Sequence, residues 1–220
     1  PKPLLLASYL AMEGPRPRRH LAELFWPEAR DPMRSLSVAL TRLRKGVPGA
    51  VAADRRQAAC ELPCDATAFL DHLDRGEREA ALALYRGPFL DGLDLRTWSV
   101  ELEEWLHAQR EFLADRAFGA LLDAAEEEAG RGRFGDGADL AEAAARLRWT
   151  VPEPHDLERL HTLLVAADRA SAERVRRDAD GLGLALSADA ASARRRLTDG
   201  RAAAHARPVA QLPGRDTAFV

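Results

Sequence analysis

Lysine, cysteine and long apolar runs are scarce in this sequence of 220 residues. Its two cysteines, Cys60 and Cys64, are too few for a disulfide scaffold or a four-cysteine zinc site, so both read as small buried hydrophobes beside a strand. No stretch reaches the roughly 18 consecutive apolar residues of a membrane span, and no signal-peptide pattern opens the chain. The expectation is a cytoplasmic protein without a membrane partner. The six histidines, at 20, 72, 107, 155, 161 and 205, form neither an H-E-x-x-H pair nor a partnership with a cysteine nucleophile. Ser35 and Ser37 have no base near them in sequence. With these patterns missing, no enzyme is expected within these residues, and no catalytic group, cofactor or metal site is assigned. Two lysines stand against 30 arginines, and the bias runs along the whole chain. Arginine content is therefore no sign of nucleic-acid binding; only its clustering is.

Clustering does occur. Residues 1–64 hold 11 Lys and Arg against 6 Asp and Glu, a balance of +5, while the remainder holds 21 against 29, a balance of −8. A basic head gains from counterion release on a phosphate backbone and an acidic body is repelled by it, so contact with nucleic acid is confined to the head. The richest stretch is RRHLAELFWPEARDPMRSLSVALTRLRK, residues 18–45. It reads as two short helices joined by a Trp26-Pro27 corner, with Trp26 buried between the first helices. In the second of these helices Asp31 can cap, Pro32 can take the first helical position, and Gly46 ends the run. On a wheel of about 100 degrees per residue, Met33, Ala39, Leu40 and Leu43 fall close to Leu36 as one apolar stripe. Arg34, Val38, Thr41 and Lys45 face away. A solvated basic helix would have the same pattern. Arg, small and hydroxyl side chains opposite a core-facing stripe also have the chemistry for a DNA major groove.

Residues 3–13 form a first helix that closes at Gly14-Pro15, and VAADRRQAACEL offers two extended runs around a hairpin with Arg55 and Arg56 at its tip. Three helices followed by a basic hairpin make a winged helix-turn-helix. In that arrangement Arg34, Ser37, Val38 and Thr41 face base edges, while Arg42, Arg44 and Lys45 hold flanking phosphates. Arg55 and Arg56 reach a neighbouring minor groove or backbone. Arg18 and Arg19 anchor phosphate at the start of the second helix, where amide groups point outward.

Beyond Cys64 the helices are acidic and rich in Ala and Leu. A pair spans 66–74 and 77–86 around Gly76. A loop, GPFLDGLDL, leads to a long helix from about Ser99 to Glu128, with Leu102, Trp105, Leu106, Phe112, Leu113, Ala117 and Leu121 as its core marks. Helices over about 136–148, 154–168, 171–182 and 188–198 follow. Gly130 to Gly135 fits G-x-G-x-x-G, but a helix and not a strand leads in, so an inter-helix turn is expected. GEREAALALYRG and GRFGDGADLAEAAARL share a Gly-then-Ala/Leu pattern suited to stacked tetratricopeptide-type repeats. The opening at Pro1 and the apolar ending LPGRDTAFV read as the cut ends of a longer protein.

Several of these elements, taken together, resemble the bacterial transcriptional activator domain regulators, the SARP family of antibiotic regulatory proteins. They are Leu24-Phe25-Trp26-Pro27, the run from Leu36 to Arg44, Leu84-Tyr85-Arg86-Gly87-Pro88-Phe89-Leu90-Asp91-Gly92-Leu93, Glu104-Trp105-Leu106 and the Arg110 helix. The resemblance covers residues 1–200. It implies a mostly α protein: a truncated OmpR-like winged helix-turn-helix in 1–64, lacking its amino-terminal strands, then an all-helical tetratricopeptide-like domain in 65–200 and a linker in 201–220. It also implies a sequence-specific regulator of activator type on double-stranded promoter DNA. RNA polymerase, another protein or a second copy of the chain are the candidate partners of the helical domain. The segment RLRW at 146–149, with Pro152 and Pro154, departs from the repeat consensus. LPGRDTAFV resembles the start of an NTPase module in large family members; the phosphate-binding loop is not in this sequence, and no nucleotide site is assigned. The rival reading is a tetratricopeptide-like interaction adaptor that regulates a downstream NTPase module and carries a degenerate winged helix. Missing strands and net acidity favour the adaptor; the +5 head and the hairpin arginines favour DNA.

Overall fold

A computed structural model describes residues 2–93, 99–147, 153–187 and 189–205, the last five of these by backbone alone. Among the described residues it is mostly helical, with one small three-stranded sheet. Helix α1 (Lys2–Glu13) is apolar on most faces and is buried accordingly at Leu5, Leu6, Tyr9 and Leu10. Past Gly14 the chain meets Pro15 and Pro17, and a residue before proline is pushed toward extended backbone. Arg16 and Pro17 thus form β1 (Arg16–Pro17), paired antiparallel with β3 (Gln57–Cys60), Arg16 opposite Ala58. An edge strand tolerates the missing proline N–H. The sequence reading placed only a turn here, because two residues carry no periodicity.

Helices α2 (Arg18–Phe25) and α3 (Pro32–Gly46) follow. The Asp31 carboxylate caps α3 by accepting from the Arg34 amide at 2.9 Å, with Pro32 at the first helical position. Strand β2 (Val51–Ala53) pairs antiparallel with β3, Val51 opposite Cys60, giving the order β1-β3-β2. Asp54 holds the connecting turn by accepting from the amides of Arg56 and Gln57 at 2.6 and 2.8 Å.

One core joins Leu5, Leu6 and Leu10 to Leu21 and Phe25, to Leu36, Leu40 and Leu43, and to Ala50, Val51 and Ala58 of the hairpin. Leu102 and Leu106 of the long helix α6 (Val100–Gly130) belong to the same core. That packing sets the division of the chain. One compact unit comprises residues 1–120 with 147–151, and the other 121–146 with 152–220. The division falls inside α6, whereas composition and charge change at 64/65. Two expected core residues lie elsewhere. Met33 is 41% exposed, because a helical wheel gives an angle but not a position along the axis, and coverage of α3 begins at Leu36. Phe112 is 47% exposed on α6. Trp26 is half-buried rather than enclosed: Phe25 fills the core, and Trp26 packs beside it with ring centroids 5.8 Å apart. Also in the first unit, α4 (Asp65–Asp74) and α5 (Arg78–Leu84) meet at Gly76, which adopts φ +74, and enclose Phe69 and Ala81 with Leu113 and Ala117. The segment after α5 is pinned by Arg110, which donates to the carbonyls of Phe89 and Leu90 at 2.8 and 2.6 Å.

The second unit contains the end of α6, then α7 (Phe134–Arg146), α8 (Pro154–Ala166), α9 (Ala172–Gly181) and α10 (Ala190–His205). Gly132, at φ +82, turns the chain from α6 into α7, so the G-x-G-x-x-G segment lies between two helices. Gly137 lets α7 close on α6: a Cβ there would stand 2.7 Å from the Ala125 carbonyl oxygen. Helix α8 packs against α7, α9 and α10 and buries Leu157, Leu160, Leu163 and Leu164. Its Arg159 reaches α6, donating to Asp123 at 2.6 Å and Glu126 at 2.8 and 2.9 Å. Helix α10 continues to His205, so the expected linker 201–220 opens as helix. Residues 206–220 lie outside the described residues, as do Arg148, Trp149 and Pro152. Among the described residues no helix is long and apolar enough to cross a membrane.

Candidate nucleic-acid interface

On α3 the stripe Leu36, Ala39, Leu40 and Leu43 is buried, which leaves Arg34, Val38, Thr41, Arg42 and Lys45 exposed. Among the described residues the side chains of Arg34, Arg42 and Lys45 make no ion pair and no hydrogen bond. Val38 is 45% exposed between them, an apolar surface flanked by cations. Thr41 turns its hydroxyl inward to the Ser37 carbonyl at 2.8 Å, so its methyl group faces out. At the hairpin tip Arg55 and Arg56 are exposed, and their guanidinium groups likewise make no hydrogen bond and no ion pair among the described residues, although the Arg56 charge acts on Asp54.

Other candidate residues are committed within the fold. Arg18, the first residue of α2, donates to the Ser37 hydroxyl at 2.8 Å and to the Asp54 carbonyl at 2.9 Å. Its own amide donates to the Arg56 carbonyl at 2.8 Å, which prolongs the β1–β3 ladder. Ser37 in turn donates to the Met33 carbonyl at 2.8 Å, so its hydroxyl is occupied on both sides. Arg44 crosses from the end of α3 to the carbonyls of Val51 and Ala53, at 3.3 and 3.0 Å. Arg19 pairs with Glu23 on the surface at 2.9 Å. Arg18 and Arg44 therefore fasten the two ends of the hairpin approach to α3. Arg18 and Arg44, expected on phosphate, are thus engaged within the fold, and Ser37, expected on a base edge, accepts from Arg18.

The hairpin turn is itself held by charge. Amide hydrogen bonds from Gln57 and Arg56 hold the Asp54 carboxyl below its ordinary value, so it stays ionised between the cations of the tip. One contributor escaped the sequence reading. Lys2 opens a groove of about 490 Å³ that it shares with Trp26, Val38, Arg34 and Arg42, and it donates to the Phe25 carbonyl at 3.1 Å while lying 5.6 Å from the Trp26 ring centroid. Among the described residues no carboxylate lines that groove. A lone lysine 32 positions before Arg34 has no local signal in sequence; only the packing of α1 against α3 brings them together. Among the described residues no group of His, Cys, Asp or Glu could hold a metal ion.

No protein-family model matches the chain, and no curated protein matches it either.

Proposed function

We propose that the chain is a DNA-binding transcription regulator whose basic head is a winged helix-turn-helix. The observation that carries the reading is one arrangement of charge: five exposed cations, Arg34, Arg42, Lys45, Arg55 and Arg56, whose side chains make no hydrogen bond and no ion pair among the described residues, on a helix and a hairpin that Arg18 and Arg44 tie together. The order α1-β1-α2-α3-β2-β3 supports it, since α3 then serves as the recognition helix and β2–β3 as the wing. Arg34, at the amino end of α3, reads a base edge; Val38 and the Thr41 methyl meet apolar surface such as a thymine methyl; Arg42 and Lys45 hold phosphates. Arg55 and Arg56 on the wing contact the adjacent backbone or minor groove. The helices from α4 onward supply a tetratricopeptide-like body, supported by the glycine turn between α6 and α7 and their close approach at Gly137. RNA polymerase, another protein or a second copy of the chain is the partner we assign to this body. Phe112, exposed between Glu111 and Asp115, favours protein contact there.

The test is selection from random genomic DNA fragments at moderate salt, with sequencing of what is retained. Enrichment of a common motif is the expected result. Retention without a motif, or none at all, would leave the adaptor reading in possession of the helical body.

A further inference from the structure

A pocket of about 400 Å³ lies away from the basic face, between α1, α4, the segment after α5 and α6 of the first unit. That is within the range of roughly 300–1,000 Å³ typical of small-molecule sites. Its walls are aromatic and aliphatic: Phe69 and Tyr85, with ring centroids 5.6 Å apart, face Phe89 and Leu113. Three polar groups line the same space without a hydrogen-bond partner among the described residues, namely the Ser8 hydroxyl, the Tyr85 hydroxyl and the Cys64 thiol. Polar groups that converge unpaired on an apolar cavity are what orients a ligand. The rim is fixed rather than loose. Arg110 pins the Phe89 and Leu90 carbonyls, and Leu90 sits at φ +51, a left-handed conformation that a branched residue holds only when its surroundings impose it. Burial pushes the Tyr85 phenol up, so it is a neutral donor at physiological pH. Charge at the mouth is Asp65 and Asp91 against Arg86, a balance that disfavours an anion.

We infer that this pocket is a binding site for a neutral aromatic small molecule bearing a hydroxyl or carbonyl group, held by stacking on Tyr85 and Phe89 and hydrogen-bonded to the Tyr85 hydroxyl. The inference is independent of the DNA reading, since none of these residues belongs to the basic face. A neutral bicyclic phenol fits the volume and chemistry, so 2-naphthol is the probe, with naphthalene and 2-naphthalenesulfonate as its hydroxyl-free and anionic counterparts.

The experiment is a fluorescence titration of the whole chain with each probe, together with iodoacetamide labelling mapped by mass spectrometry. Saturable binding of 2-naphthol is expected, with slower alkylation of Cys64 and unchanged alkylation of Cys60, which packs against the core of the head instead. The sulfonate should bind more weakly. Tyr85→Phe keeps the ring and removes the hydroxyl, so it should weaken 2-naphthol about fivefold and leave naphthalene unchanged. Ser8→Ala, which removes a second of these polar groups from a different element, should also weaken 2-naphthol and leave naphthalene unchanged. No saturable binding up to about 1 mM, equal protection of both cysteines, or equal weakening of both neutral probes by Tyr85→Phe would each overturn the assignment.

Discussion

The guanidinium of Arg18 donates to the hydroxyl of Ser37 at 2.8 Å, and through its other nitrogen to the Asp54 carbonyl at 2.9 Å, so one side chain joins α2, α3 and the hairpin turn. Its loss removes that link, while the Arg44 contacts and the shared core remain. Arg18→Ala should destabilise the head by about 1.5–3 kcal/mol, the range for hydrogen bonds that involve a charged group. DNA affinity should fall with it, but the slope of log affinity against log salt should not change, because no phosphate contact is removed. Urea unfolding and a salt titration on the same variant check both halves. A shallower slope would put Arg18 on the DNA.

The count of exposed cations that make no hydrogen bond or ion pair among the described residues sets the salt dependence itself. Arg34, Arg42, Lys45, Arg55 and Arg56 are available, while Arg18 and Arg44 are committed internally. If all five neutralise phosphate, log affinity should fall against log salt with a slope of about −4.5. If Arg34 reads a base, about −3.6 remains. A slope near zero in a binding titration from low to moderate salt would remove the electrostatic basis of the proposed function.

The bounds of α3 were legible in the sequence because its signals are local: Asp31 caps the amide three residues on, Pro32 opens the helix, and the stripe from Leu36 to Leu43 repeats at helical spacing. The hairpin was legible for the same reason. Strand β1 was not, although Gly14-Pro15-Arg16-Pro17 excludes helix, because the choice between turn and strand is made by partners 40 and 42 residues away, Gln57 opposite Pro17 and Ala58 opposite Arg16. Nor could composition show that Leu102 and Leu106 would complete the core of the head. As a consequence, residues 66–220 alone would expose part of an apolar core. Within the candidate interface, Arg42 and Arg44 look alike in sequence. Only the fold supplies the Val51 and Ala53 carbonyls that occupy Arg44 and leave Arg42 to solvent.

Gly137 and Gly135 stand on the same helix, yet substitution should act on them in opposite directions. A Cβ at 137 would lie 2.7 Å from the Ala125 carbonyl oxygen and 3.2 Å from the Ala129 Cβ, and a backbone atom cannot swing aside. Gly137→Ala should therefore cost about 1–3 kcal/mol through overpacking, even after the gain in helix propensity. At 135 a Cβ meets nothing within 4 Å, so Gly135→Ala should be neutral or stabilise by up to about 1 kcal/mol. Thermal unfolding of the two variants side by side is the check. Equal melting temperatures would mean that α7 does not close on α6 as described.

Glu13 accepts from the Trp105 indole at 2.9 Å and pairs with Arg16, joining the end of α1 to α6. Burial works to raise its pKa, but the hydrogen bonds from Trp105 and Arg16 and the nearby positive charge hold it below the ordinary glutamate value of 4.5. A carboxyl depressed in the folded state contributes stability that is fully present above the unfolded value and is lost as pH falls through the folded one. Acid titration followed by tryptophan fluorescence should show this loss below pH 4.5. Glu13→Gln should flatten that limb, since its amide does not titrate. An unchanged acid limb in the variant would assign the transition to other carboxylates.

Arg34 and Lys45 mark opposite ends of the exposed face of α3, and base contacts and phosphate contacts leave different traces in binding data. Neither side chain belongs to the buried stripe, so both alanine variants should fold as the parent does. The amino-terminal part of a recognition helix lies deepest in the major groove, which places Arg34 on a base edge, with guanine the commonest partner for arginine. Arg34→Ala should then cost about 1–3 kcal/mol on the preferred site and flatten the preference at one base position. Lys45, in the last turn, lies where the helix leaves the groove and meets the backbone. Lys45→Ala should weaken all sequences about equally and make the salt slope shallower by about one unit. Reversal of the two patterns would mean that α3 enters the groove by its carboxyl end. If both variants bind as the parent does, the exposed face of α3 is simply solvated, and the function of the chain rests on its helical body.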